Sequence, residues 1–280
     1  MYNFRSIAAN DPIFIKTRDK FKKDLDDFQQ YAQMMTDEAG KAKTKSGKAS
    51  SYARYLIRLI IFNSEANGYE VNNLSSFETL KQIEKIKCSN DFKIFNRDAN
   101  HFYSATLSCY LAYVININSL DEEVEDRELN QILNDKINIF EEEDSYLLTT
   151  PSRRSNRSKS RESYVYPRNF MESLEAKKRG NWLCEFNPVH KTFINIKNNK
   201  PYVEAHHLIP MAAQAYYENT IDFADNIVCL CPTCHSRIHH AIQNEKKEMI
   251  VELFKKRESF YSNYGIKIDI KLLLSFYGIL

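Results

Sequence analysis

Ten of the thirteen cysteines and histidines in the 280-residue chain fall between Cys184 and His240; only Cys88, His101 and Cys109 lie outside. Thiolates and imidazoles are the donors that hold zinc and its first-row neighbours. Cys231 and Cys234 have the spacing of one half of a structural zinc site, and such sites take their other two ligands from a separate segment. Upstream, Cys184 and His190 are the nearby candidates. His235 and His239 are four residues apart and so share one face of a helix, from which His240 is rotated away. His206, on a preceding strand, can offer a third imidazole to the same ion. Cys229 alternates with Leu230 along a strand and reads as apolar core. Cys231-Pro232-Thr233-Cys234-His235 also matches a c-type haem attachment motif. That reading requires export and leaves His206, His207 and Asn226 without a purpose.

Glu204-Ala205-His206-His207-Leu208-Ile209-Pro210, Asn226 some twenty residues later, and Leu230-Cys-x-x-Cys-His-x-x-x-His239 occur in register. In this combination the chain resembles the HNH endonuclease family over roughly residues 180–242. The resemblance implies a ββα-metal core, with His206, His235 and His239 holding a hydrolytic cation. It also implies hydrolysis of phosphodiester bonds, with His207 as the general base. The ordinary pKa of an imidazole, about 6.5, suits taking a proton from water at neutral pH. Asn226, the middle letter of the motif, is expected to fix the loop that positions His207. Family members often carry Cys-x-x-Cys where this chain has Cys184 and Asn187, so His190 is the inferred fourth ligand of a structural zinc. All-imidazole ligation leaves the catalytic cation open among Mg, Mn, Ni, Co and Zn. Arg237, on the helix of the ligands, is a candidate phosphate clamp, with His240 as a second phosphate contact.

Composition agrees with a polyanionic substrate. The net charge of +2 hides a division: residues 1–150 carry −5 and residues 151–280 carry +7. A basic half suits DNA, which is favoured over RNA on the resemblance alone. The six glycines are scattered, which argues against a phosphate-cradling loop. No apolar run is long enough for a membrane span and the first residues do not form a signal peptide, so a cytoplasmic protein with no membrane partner is expected.

The elements that must position these residues follow from periodicity. Phe21, Leu25, Phe28, Tyr31 and Met35 form one helical stripe, and further stripes run from Tyr52 to Ile60 and from Phe102 to Val114. Ser75 and Glu78 make a capping box ahead of Leu80. Leu129, Ile132, Leu133 and Ile137 mark one more helix. Lys41, Lys43, Lys45 and Lys48 form a basic loop between helices. Acidic patches from Asp121 to Asp126 and from Glu141 to Asp144 precede a Ser/Arg stretch holding Arg153, Arg154, Arg157, Lys159 and Arg161, a linker able to track a nucleic-acid backbone. Beyond it, 170–178 reads as a helix, 192–196 and 202–206 as a hairpin turning at Asn198-Asn199, 232–242 as a helix and 245–264 as a long one.

The expectation is therefore an α+β chain. An all-α domain over 1–140 serves DNA recognition, dimerisation or regulation. An acidic, then Ser/Arg-rich, linker covers 141–166, and an HNH nuclease domain with a structural zinc covers 167–280. An extra helical domain ahead of one nuclease domain looks like bacterial restriction or anti-phage defence. One nuclease domain cuts one strand per event, so a double-strand break needs a homodimer or sequential cuts. The competing readings are a non-catalytic zinc-stabilised DNA-binding protein and an RNA-cleaving toxin or effector.

Overall fold

A computed structural model describes residues 2–39, 47–119, 122–140, 147–160 and 163–279, with backbone alone at 135–140, 159–160 and 163–164. Lys41, Lys43, Lys45, Asp121, the acidic run 141–144 and Arg161 lie outside those residues. The chain divides into two compact units, 1–117 with 275–280, and 118–274.

The first unit is helical: α1 (Pro12–Lys20), α2 (Lys22–Glu38), α3 (Lys48–Asn67), α4 (Phe77–Glu84), α5 (Asn90–Asp98) and α6 (Phe102–Asn118). Local sequence sets its boundaries. Asp11 caps α1 by accepting from the Ile13 N–H, with Pro12 at the first helical position. Gly68 ends α3 in the left-handed region, φ 59°. The cap of α4 is Ser76, which accepts from the Glu78 N–H, rather than Ser75. Phe28, Leu56, Leu59, Phe62, Leu80 and Tyr110 are fully buried, and the Tyr110 hydroxyl donates to the Leu74 carbonyl.

The second unit contains α7 (Glu122–Phe140), β1 (Ser158–Ser160), β2 (Ser163–Val165), α8 (Phe170–Arg179), β3 (Glu204–His207), β4 (Ile227–Leu230), α9 (Pro232–His240) and α10 (Gln243–Lys255); α11 (Ile270–Phe276) follows. β3 pairs antiparallel with β4, Glu204 opposite Leu230 and His207 opposite Ile227, and α9 follows directly.

The boundary expected at 140 thus falls near 118, because α7 packs with the second unit. Its Leu129 and Leu133 join Leu174, Trp182, Ala205, Ile227 and Cys229 in one apolar core. Asn130 completes the join: its side-chain carbonyl accepts from the Ala205 N–H and its amide donates to the Ala205 carbonyl, satisfying backbone of β3 on the edge that, among the described residues, has no further strand beside it.

Three other expectations change. The Ser/Arg segment is not a free linker over its described part. Arg153 bridges to Asn219, the Arg154 N–H donates to the Glu218 carbonyl, and Ser152 accepts from the Thr220 N–H; β1 then pairs with β2. The 192–196 strand is reduced to a single bridge, Ile194 to Pro201. There the Asn195 side chain accepts from the Lys197 N–H and bends the chain. The long C-terminal helix stops at Lys255, and a 3-10 turn at 261–264 ends on Gly265, φ 67°. Among the described residues no helix is long and apolar enough to cross a membrane.

Candidate metal centres and active site

Cys231 is both the N-cap of α9 and the first cysteine of the knuckle. Its Sγ accepts from the Cys234 N–H at 3.4 Å, and Pro232 takes the first helical position. The chain therefore enters α9 with both thiols turned to one side. Upstream, α8 ends where Asn181 and Trp182 take left-handed φ of 51° and 59°. That is a costly conformation for tryptophan, held by burial of its ring in the core described above. The reversal delivers Cys184. His190 follows after a turn, and Cys184, His190, Cys231 and Cys234 converge with all ligand atoms within 4.8 Å of one another. His190 Nδ1 lies 3.5 Å from Cys231 Sγ and 3.3 Å from Cys234 Sγ. Bond lengths of about 2.3 Å to sulfur and 2.05 Å to nitrogen give an S–N edge of about 3.6 Å in a tetrahedral zinc site, so the group fits that ion. Burial, the hydrogen bond with Cys231 and the nearby Cys184 raise the Cys234 thiol well above its ordinary range. A cation would replace those protons. Cys229, by contrast, sits in the apolar core opposite Ala205, its thiol pushed up by burial.

A second group forms across β3, α9 and α7. His206 on β3 and His235 and His239 on α9 meet as expected, and Asp126 from α7 completes the set within the same 4.8 Å limit. Asp126 Oδ2 lies 3.4 Å from His206 Nδ1, 3.7 Å from His235 Nε2 and 3.8 Å from His239 Nε2; the two α9 Nε2 atoms are 3.3 Å apart. Tetrahedral ligands at about 2.05 Å lie about 3.3 Å apart, which these separations approach. Two of the imidazoles are biased toward the neutral form that binds metal. Burial and then His235 hold His206 well below its ordinary pKa, and burial with His206 and His235 brings His239 down to about 2.

Outer partners fix the candidate ligands. His235 Nδ1 donates to Glu204 Oε2 at 2.7 Å, leaving Nε2 for a cation. Although burial opposes it, the His235 hydrogen bond holds the Glu204 carboxyl below its ordinary value. Arg168, itself buried, ion-pairs with Asp126 and Glu125. Asp126, Glu204 and Arg168 are the residues that motif reading missed. Asp126 lies 80 positions before His206, inside an acidic run that looks like solvated surface.

His207 points to the other face of β3, away from His206. It is 1% exposed; Nε2 donates to Asp222 Oδ1 at 2.9 Å, and Nδ1 has no hydrogen-bond partner among the described residues. Asp222 is held in turn by the Asn169 N–H, 2.5 Å from Oδ2. Asn226 ties the two loops that carry this pair. Its amide donates to the Ile209 and Ile221 carbonyls, and its side-chain oxygen accepts from the Ile209 N–H and the Tyr261 hydroxyl.

The residues expected to contact phosphate are placed differently from one another. Arg237 pairs with Glu245 and Glu248 and lies over the Phe186 ring, so carboxylates already occupy it. His240 is exposed, 3.4 Å from Glu123. Arg154 binds the Tyr217 and Ala215 carbonyls and acts as a clamp within the fold. Arg153 and Arg157 are exposed, the latter over the Tyr166 ring.

The family model described as HNH endonuclease matches residues 188–241. This segment is similar to an HNH endonuclease domain. It takes in β3, β4, α9 and the candidate ligands His190, His206, Cys231, Cys234, His235 and His239; Cys184 and Asp126 lie outside it. The chain is also 31% identical over 90 residues to the type IV methyl-directed restriction enzyme EcoKMcrA of Escherichia coli (strain K12). That match covers 32% of this chain and 30% of the relative, so the chain spans less than a third of the relative's length. No solved structure gives a significant match.

Proposed function

We propose that the chain is a metal-dependent HNH endonuclease that hydrolyses phosphodiester bonds of DNA in bacterial restriction or anti-phage defence. The observation that carries this reading is the convergence of three imidazoles and a carboxylate on one face of β3, with an Asp-held histidine on the next residue. His206, His235, His239 and Asp126 hold the catalytic cation, which when bound would supply Lewis acidity at the phosphate and the leaving 3′ oxygen. Glu204 and Arg168 orient His235 and Asp126. Three imidazoles and one carboxylate suit Mn, Co, Ni or Zn better than Mg, which favours oxygen ligands in octahedral geometry. Cys184, His190, Cys231 and Cys234 hold a structural zinc that fixes the start of α9, and with it the spacing of His235 and His239.

His207 is the general base. Donation from Nε2 to Asp222 selects the tautomer whose Nδ1 lone pair is free to take a proton from the attacking water. Asp222 is its positioning residue, and Asn226 holds the loops on which both stand. Arg153 and Arg157, on the strap before β1 within the second unit, contact the phosphate backbone. The restriction role rests on the named relative and the DNA preference on the family.

The test is cleavage of supercoiled plasmid by the full chain, its His207→Ala variant and its Asp222→Asn variant, with metal content measured on each. His207→Ala is expected to lose cleavage and keep zinc. Asp222→Asn should lose about a hundredfold or more in kcat with little change in KM. Full activity of His207→Ala contradicts the assignment of the base.

A further inference from the structure

Between Glu185 and Glu204 the chain carries no acidic residue, and it holds Lys191, Lys197 and Lys200. In the same segment Val189, Phe193, Ile194 and Ile196 are 80%, 64%, 55% and 94% exposed, a concentration of bare apolar side chains unusual for a soluble surface. The segment is shaped rather than loose. The Tyr202 N–H donates to the Phe193 carbonyl, the Asn195 N–H to the Lys200 carbonyl, and the Asn195 amide to Asn134 Oδ1. Its ends are tied to the two metal-ligand groups, through His190 at one end and through β3 at the other.

One aromatic side chain connects this protrusion to the catalytic group. Phe193 stacks on Tyr202 with centroids 4.7 Å apart and an 18° interplanar angle. The Tyr202 hydroxyl donates to Glu204 Oε1 at 3.1 Å, and Glu204 Oε2 accepts from His235 Nδ1. A flat ring backed by a second ring, largely open to solvent and two side chains from a proposed cation ligand, has the form of a base-stacking platform. Lysines without neighbouring carboxylates in sequence supply the complementary charge for the phosphates on either side.

We propose that Phe193, backed by Tyr202, stacks against an unpaired or extruded base next to the phosphodiester held at the Asp126/His206/His235/His239 group. Ile194 and Ile196 extend the apolar contact, and Lys191, Lys197 and Lys200 meet the flanking phosphates. This assignment rests on the nuclease reading and adds to it a preference for substrate that is single-stranded or distorted at the cut. Aromatic stacking tolerates any base, so the platform gives structural rather than sequence preference.

The test measures binding apart from cleavage. In the His207→Ala background, a fluorescein-labelled thymidine oligonucleotide and a duplex of equal length are titrated by anisotropy. Phe193→Ala is expected to bind the single strand about tenfold more weakly, and Phe193→Trp to restore binding. The chain has a single tryptophan, the buried Trp182, so the emission added by Phe193→Trp should be quenched by the oligonucleotide. Lys197→Ala should reduce the salt dependence of log Kd by about 0.7. Unchanged affinity in Phe193→Ala, no quenching in Phe193→Trp, or no binding of the single strand overturns the proposal. So does a change in sedimentation of Phe193→Ala without a change in DNA affinity, which would make the patch a contact between copies of the chain. A parent chain that binds and shows these effects but leaves plasmid uncut keeps the platform and loses the nuclease reading. One that cuts while Phe193→Ala binds normally loses the platform alone.

Discussion

Asn226 shows how much of the site rests on one amide. Its side chain makes four hydrogen bonds in a fully buried position, to both loops flanking the β3–β4 pair and to Tyr261. Leaving buried groups unpaired costs about 1–3 kcal/mol each before relaxation. Asn226→Ala is therefore expected to cost about 3 kcal/mol and to lower the melting temperature by about 6–12 °C, measured by calorimetry. It should also abolish cleavage, because His207 lies two residues before Ile209 and Asp222 directly follows Ile221. A variant with unaltered melting would mean that the amide does not carry the loops.

At the scale of elements, α7 is the part that changes the account. Asp126→Ala is expected to lower total bound metal from about two ions per chain to about one, with zinc retained, and to reduce cleavage about a hundredfold or more. Metal analysis beside the plasmid assay checks both; two ions retained would exclude Asp126 from the site. Much of the centre was legible in the sequence because its ligands sit at spacings fixed by local geometry: the Cys231/Cys234 knuckle, His235 and His239 one helical turn apart, and His206 and His207 on opposite faces of a strand. Asp126 was not legible, since a tertiary contact spanning 80 residues leaves no local period and its neighbours Glu122, Glu123 and Glu125 make it look solvated. The Ser/Arg strap and the 192–202 turn were misread for a related reason. Composition suggested a linker and alternation a strand, while backbone pairing to 218–220 and the Asn195 side chain decided the outcome.

Where α8 meets α7, Lys177 is fully buried and donates to Asn130 Oδ1. Burial brings its pKa from 10.5 down to about 8. Below about pH 8 both folded and unfolded chains hold the proton and the full burial cost is present. Between about 8 and 10.5 the unfolded chain binds more protons than the folded one, so stability rises with pH, by on the order of 3 kcal/mol in all. Lys177→Met should remove that rise, read as urea midpoints at about pH 7.5 and about pH 10. An equal rise in the variant would place the titration elsewhere.

For the whole molecule, the charge division found in the sequence acquires a structural edge. The basic half holds the Cys184/His190/Cys231/Cys234 group and three members of the other candidate metal group, which is completed by Asp126 from the acidic half, on a helix that belongs to the second unit. Among the described residues, the first unit carries none of the candidate ligands. The central claim, that this chain cuts DNA with a cation held by Asp126, His206, His235 and His239, is tested most directly by one measurement. Supercoiled plasmid is incubated with the full chain after chelation, and then with Mg, Mn, Co, Ni or Zn restored one at a time. The account predicts no cleavage after chelation and recovery with Mn, Co or Ni at least as strong as with Mg. Cleavage that survives chelation, or no cleavage with any of the five cations, would contradict it.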